Sequence, residues 1–297
     1  MNIKLLSDNL SIPDYKTLAR TISLVENEVE GFEDILHHLQ PKNIPVVGFT
    51  GPPGAGKSTL LNAVLSILLG EDKKIGLILI DPSSPFNLGA LLGDRLRMSA
   101  HFTNPNLYIR SLATRGSLGG LSDKIIEVVE VMRSYPFDYL FIETVGVGQS
   151  EVEIAGLADT TVVILVPEAG DSVQTMKAGL MEIADIFVIN KSDRADAEAL
   201  VSSLSNQLQL NGKEHLPILK TVAVDSTGVP ELIAAFKKLE SAPQNQERKL
   251  VLLSEKAVRI ISKNKMKNFD LDKMKQALSH EMNRQNFNLY SFVQQYL

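Results

Sequence analysis

Gly51-Pro52-Pro53-Gly54-Ala55-Gly56-Lys57-Ser58-Thr59 fits the pattern G-x-x-x-x-G-K-[ST], the phosphate-binding loop. Before it runs Ile44-Pro45-Val46-Val47-Gly48-Phe49-Thr50, apolar and of strand length. After it, residues 60–69 have helical character. Glycines let the backbone curl so that several N–H groups converge on one anion, and the following helix aims the positive end of its dipole at the same point. Lys57 can reach the β- and γ-phosphates, and the Ser58 hydroxyl is placed to ligate Mg²⁺. Gly51, Pro53, Gly54, Ala55, Gly56, Lys57, Ser58 and Thr59 are therefore the expected nucleotide contacts.

Outward from this loop, short apolar runs alternate with helical ones. Strands are expected at 44–50, 75–81, 106–110, 138–143, 161–166, 186–190 and 218–224. Helices are expected at 57–69, 88–99, 121–134, 151–158, 172–184, 195–209 and 230–240. Most strand runs are apolar throughout rather than alternating, as parallel strands covered on both faces require. The order predicts an α/β fold: a P-loop NTPase with a doubly wound, mostly parallel sheet, whose ligands sit at the carboxyl ends of the strands. Leu18, Ile22, Val25, Val29, Phe32, Leu36 and Leu39 recur near a 3.6-residue period, giving a helical extension over 13–39. Residues 241–249 read as a polar linker. Amphipathic helices follow at 250–264, 270–282 and 288–297, with Val258, Ile260, Ile261, Phe292 and Val293 as expected buried positions. The division is thus an N-terminal helical extension (1–42), a P-loop domain (43–241) and a C-terminal helical arm (242–297).

The chain of 297 residues is 44% hydrophobic, enough for a sizeable core. A net charge of −5 gives no basic field for nucleic acid. The absence of cysteine excludes a disulfide framework, a Cys-based zinc site and a thiol nucleophile. The five histidines show no metal-ligand spacing. The N-terminus lacks a signal or transit pattern and no apolar run is long enough for a bilayer, so the expectation is a cytoplasmic protein without membrane or nucleic-acid partners.

Motifs fall at successive strand ends. Asn190-Lys191-Ser192-Asp193 closes strand 186–190. An aspartate there can accept from the N1–H and 2-amino group of guanine, donors that adenine lacks, and leaving such a carboxylate unpaired costs about 1–3 kcal/mol. Glu143-Thr144-Val145-Gly146 closes strand 138–143; its acid can hold the water shell of a metal, and the Gly146 N–H can bond a γ-phosphate. Asp81, in Asp81-Pro82-Ser83-Ser84-Pro85, closes the second strand, and Asp94 follows in Leu92-Gly93-Asp94-Arg95. With Ser58 and Glu143 these acids give an oxygen set suited to Mg²⁺; Asp94 reads equally well as a surface helix acid. Asp171 and Lys177, beyond Glu168, read from sequence alone as a helix cap and an exposed lysine.

The linked occurrence of these motifs with Arg115-Gly116-Ser117-Leu118-Gly119-Gly120 and Glu143-Thr144-Val145-Gly146-Val147-Gly148-Gln149-Ser150-Glu151 resembles the MeaB/ArgK family of G-proteins over about residues 15–295. The resemblance implies a homodimeric GTPase that chaperones an adenosylcobalamin-dependent acyl-CoA mutase, most often methylmalonyl-CoA mutase. It implies that GTP and its product GDP, with Mg²⁺, gate cofactor loading and protection. It implies that Asp81, Asp94 and Glu143 are the magnesium-site acids, that Glu168, Asp171 and Lys177 belong to a mobile switch loop, and that 250–297 form a dimerisation arm. Two departures stand out: Glu168 replaces a small residue, and the last base-contacting loop, Val222-Ala223-Val224-Asp225-Ser226, lacks a Ser-Ala signature, leaving the Ala223 or Val224 backbone to act there. Catalysis rests on Lys57, with Asp81 and Gln149 as candidates for orienting the attacking water. The alternatives are an ATP-dependent kinase of small molecules or proteins, which has no use for Asn190–Asp193, and a nickel-enzyme metal-insertion GTPase, which needs the Cys/His clusters this chain lacks.

Overall fold

In the computed structural model the described residues are 14–81, 98–113, 124–144, 154–167, 178–240, 245–266, 269–282 and 287–296. Among these residues seven strands form one sheet: β1 Val46–Thr50, β2 Ile75–Asp81, β3 Leu107–Ala113, β4 Tyr139–Glu143, β5 Thr160–Leu165, β6 Ile186–Asn190 and β7 Ile218–Thr221. Their spatial order is β3-β2-β4-β1-β5-β6-β7, and all six pairings are parallel, where the sequence predicts a mostly parallel sheet. β1 lies between β4 and β5, so the chain leaves it toward one side and returns to the other, the reversal that opens a crevice at the carboxyl edge.

Register carries the strand-end motifs to that edge together. Phe49 lies beside Glu143 and Val162, and Asn190 beside Thr221. β1, β4, β5 and β6 are buried along their whole length, which explains their unbroken apolar runs.

Helices cover both faces. On one, α3 (Lys57–Gly70) and α7 (Val229–Glu240) pack Leu61, Leu65, Leu68 and Phe236 against Val47, Phe49 and Phe141. On the other, α1 (Tyr15–Glu26) and α4 (Ile125–Arg133) bury Leu18, Ile22, Val25, Val128 and Val129 over Val46, Ile78 and Leu140. Farther along that face, α6 (Ala197–Leu210) seats Leu200, Leu204 and Leu208 on Phe187 and Ile189. Each set follows helical spacing.

Among its described residues the N-terminal extension has two helices, not the continuous one that its period predicts. α1 ends at Glu26, and α2 (Phe32–His37) starts after Glu28 and Gly31, both with positive φ (49° and 87°). Ionic contacts fix that turn: Glu26 pairs with Arg110 of β3, and Glu28 with the buried Lys124, which also lies 4.6 Å from the Phe32 ring. Strand β7 stops at Thr221 instead of 224, because Val222 turns back to bridge Thr227. Of the helix expected at 151–158, the described part is a short turn, Ile154–Gly156. Of that expected at 172–184, α5 (Ala178–Ile183) is described.

The chain divides into two compact units, Met1–Leu252 and Leu253–Leu297. α8 (Asn245–Met266) begins within the stretch read as a linker, whose polar residues suit a solvated helix as well as a loop. α9 (Leu271–Glu281) and α10 (Leu289–Val293) follow among the described residues, each opened by a capping side chain, Asp270 and Asn288. Phe292 is buried among Phe287 and Tyr296, as expected. Val258, Ile260, Ile261 and Val293 are exposed, contrary to the sequence reading; helical period marks one apolar stripe but does not say what covers it.

Candidate functional site

The loop between β1 and α3 is shaped by its glycines. Gly51, Gly54 and Gly56 have φ of 144°, 77° and 83°. A Cβ on Gly51 would lie 2.1 Å from the Ile164 carbonyl oxygen of β5, and one on Gly56 would lie 2.4 Å from Asn190 Nδ2, so conformation and space both demand glycine at these two positions. The loop thereby drops directly into α3, whose first residues, Lys57 and Ser58, are buried. Lys57 Nζ donates to the carbonyls of Gly51 at 2.9 Å and Pro52 at 3.1 Å, which holds the ammonium against the loop it closes.

Ser58 Oγ donates to Glu143 Oε1 at 2.6 Å. The two residues are 85 apart in sequence and meet because β4 lies beside β1. Beneath them, Thr144 Oγ1 donates to Thr50 Oγ1 at 3.0 Å, tying the two strand ends together. A cavity of about 400 Å³ opens over this group, lined by Gly54, Lys57, Ser58, Thr59, Glu143 and Lys191. Its oxygen donors, a hydroxyl and a carboxylate in contact, are the hard ligands that Mg²⁺ takes.

A second cavity, of about 190 Å³, is lined by Asn190, Lys191, Asp193, Arg194, Ala223 and Val224. Gly56, Thr59 and Lys191 border both cavities, so they are neighbours across the first turn of α3. Asn190, 2% exposed, braces the boundary. Its Nδ2 donates to the Ala55 carbonyl at 2.9 Å, and its Oδ1 accepts from Thr221 Oγ1 at 3.1 Å and the Ala223 N–H at 3.2 Å. One amide thus fixes the phosphate loop to the loop after β7. Asp193 is exposed at the rim, and Lys191 adopts φ 54°, the left-handed region. The loop after β7 is closed by Val222 N–H to Thr227 O (3.0 Å), and Thr227 N–H donates to Asp225 Oδ1 at 3.1 Å. Bonds from Thr227, side chain first and then backbone, hold the Asp225 carboxyl below the usual carboxylate range.

The structure therefore brings together Gly51, Pro53, Gly54, Ala55, Gly56, Lys57, Ser58, Thr59, Glu143, Asn190, Lys191, Asp193, Ala223 and Val224 along one edge of the sheet. Asp81 closes β2 on the same edge, although its side chain is outside the described residues. Asp94, Gly146, Gln149, Glu168, Asp171 and Lys177 also lie outside them. Sequence reading missed Thr221 and the bracing role of Asn190. The signal is available only once the Asn190–Thr221 register is known. It also passed over Arg194, whose place on the second cavity follows from its being next to Asp193.

The family described as methylmalonyl Co-A mutase-associated GTPase MeaB matches residues 18–278. A GTPase-named protein of Pyrococcus abyssi is 46% identical over 261 residues, spanning 84% of this chain and 81% of that one. GTPase ArgK of Escherichia coli is 35% identical over 239 residues, 76% of this chain and 72% of the relative. Among solved structures, one titled as a LAO/AO transport system kinase superposes with a TM-score of 0.70 at 24% identity, covering 99% of this chain and 95% of that one, a likeness of fold.

Proposed function

Because the chain belongs to the MeaB family of methylmalonyl-CoA mutase-associated GTPases, we propose that it is the GTP-driven chaperone of an adenosylcobalamin-dependent acyl-CoA mutase, methylmalonyl-CoA mutase being the first candidate. That the chain is a GTPase is the family's own activity. The observation that carries the guanine reading is the placement of Asp193 on a cavity that shares Gly56, Thr59 and Lys191 with the phosphate-loop cavity.

In this reading the phosphates lie over residues 53–58, where loop N–H groups, the α3 dipole and Lys57 stabilise their charge. Lys57 exchanges its two carbonyl acceptors for phosphate oxygens. Ser58 and Glu143 would hold Mg²⁺, with Asp81 and Asp94 as further acids, and the ion would supply neutralisation of phosphate charge. The purine enters the second cavity with Asp193 accepting from its N1–H and 2-amino group. The Ala223 amide is engaged by Asn190, which favours the Val224 N–H as the donor toward the carbonyl edge of guanine. Hydrolysis is an in-line attack by water, oriented by Asp81 or Gln149, and Gly146 bonds the γ-phosphate. Glu168, Asp171 and Lys177 pass the nucleotide state to the mutase, residues 242–297 form the arm of a homodimer, and the protein works in the cytoplasm.

Two measurements test this. Asp193→Asn should move selectivity from GTP to XTP by two orders of magnitude or more; undiminished preference for GTP would end the guanine assignment. GTP turnover should rise when an adenosylcobalamin-dependent mutase is added, and the two should co-purify. Unchanged turnover, with no association at micromolar concentrations of either protein, would reject the chaperone role.

A further inference from the structure

Val224 is an apolar residue of the base cavity whose side chain the core does not cover. Its side chain is 83% exposed, whereas its neighbour Ala223 is buried. The loop that carries it is closely tied. Ala223 N–H is bound to Asn190 Oδ1, Val222 and Thr227 form a bridge, and Asp225 N–H donates to the Val222 carbonyl at 3.3 Å while its carboxylate accepts from Thr227. Gly228, at φ 75°, is pressed against the Lys220 carbonyl, where a Cβ would come within 2.0 Å. A tightly held turn thus displays one branched aliphatic side chain on the rim that Asp193 also occupies.

Exposed valine gains nothing from water, and a β-branched side chain has little rotamer freedom to lose when something covers it. A preorganised apolar group on a cavity wall is how a flat ligand is gripped by its face while polar groups read its edge. Resting on the guanine reading above, we infer that the Val224 side chain covers one face of the purine and thereby sets how tightly and how long the nucleotide is held. Lys191 borders both cavities, and its four-carbon stem would add apolar cover to the same base. Asp193 decides which base is accepted; Val224 strengthens any purine that Asp193 admits.

The test uses the full chain with GDP, a non-hydrolysable GTP analogue and inorganic tripolyphosphate, which has no base. Val224→Ser should raise the Kd of both nucleotides by about five- to tenfold, mainly through faster dissociation, as expected from losing a partly covered aliphatic group. Tripolyphosphate binding should not change, and Val224→Leu should hold both nucleotides within about twofold of the parent chain, since it keeps the apolar cover. An exposed site makes unfolding an implausible cause, and an unaltered thermal midpoint of the serine variant without nucleotide verifies that. Unchanged nucleotide Kd in Val224→Ser, or an equal loss of tripolyphosphate binding, would overturn the proposal. The same titrations on Asp193→Asn with XTP separate the two readings. A switch to XTP with no effect of Val224→Ser sinks the face contact alone; no switch at all removes the base cavity and the face contact together.

Discussion

Asn190 shows how much one side chain can organise. It contributes three hydrogen bonds, to Ala55, Thr221 and Ala223, from a position almost without solvent. Replacement by alanine leaves a buried carbonyl, hydroxyl and amide unmatched, so Asn190→Ala should destabilise the fold by about 2–4 kcal/mol. Urea unfolding reads that loss directly, and nucleotide affinity should fall with it because the phosphate and base loops lose their common brace. Lys57 and Ser58 act differently. Both are buried, yet their partners are groups a nucleotide and its metal would replace. Lys57→Ala should lower GTP hydrolysis by at least about a hundredfold while changing the unfolding midpoint little, since it removes charge stabilisation of the reacting phosphates. Ser58→Ala should remove most of the Mg²⁺ dependence of nucleotide binding, which titration with and without the ion reports. Comparable Mg²⁺ enhancement in parent and variant would refute the metal assignment.

Helix ends carry the next set of consequences. α7 finishes at Glu240, a carboxyl at the negative end of a helix, with Oε1 buried and without a hydrogen-bond partner. Burial pushes its pKa up to about 7, Lys237 pulls the other way, and Asp159 adds to the rise. The unfolded value is near 4.5, so between these two pH values the folded state keeps a proton that the unfolded state has lost. Stability from this group is therefore greatest below about 4.5 and falls as pH rises to about 7. Glu240→Gln should flatten that slope and leave the variant more stable than the parent at pH 8, as thermal midpoints across pH 5–8 will record. The α1–α2 turn shows the reverse arrangement, in which buried charges are met: Lys124 faces both Glu28 and Glu127. Periodicity in the N-terminal segment could not reveal that turn, because Val29 and Phe32 continue the apolar pattern through it; the chain bends where Glu28 and Gly31 take positive φ and the Val29 N–H closes on the Leu24 carbonyl, and Glu28 there meets a lysine almost a hundred residues away.

For the whole molecule, the question is what meets the second unit. α8 exposes Val258, Ile260 and Ile261, at 63%, 41% and 54%, on a helix that also carries Lys256, Arg259, Lys263 and Lys265. Exposed apolar surface of this kind calls for a partner. With residues 242–297 proposed as a dimer arm, Ile260→Asp together with Ile261→Asp should weaken self-association at least tenfold in sedimentation equilibrium. Retention of the parent association constant would remove this helix from the interface.

The sequence determined the kind of machine. A glycine loop with Lys57 and Ser58, the Asn190–Asp193 motif and continuous apolar runs predict anion binding, base reading and a doubly covered parallel sheet, because each depends on residue chemistry and spacing along one stretch of chain. Tertiary structure alone decided the rest. Ser58 meets Glu143, Asn190 meets Ala55 and Thr221, and Glu28 meets Lys124, since strand order and register set those distances and neither is written in local periodicity. Burial in the C-terminal helices was likewise beyond sequence reading: a helical period marks an apolar stripe, and only packing tells which stripe is covered.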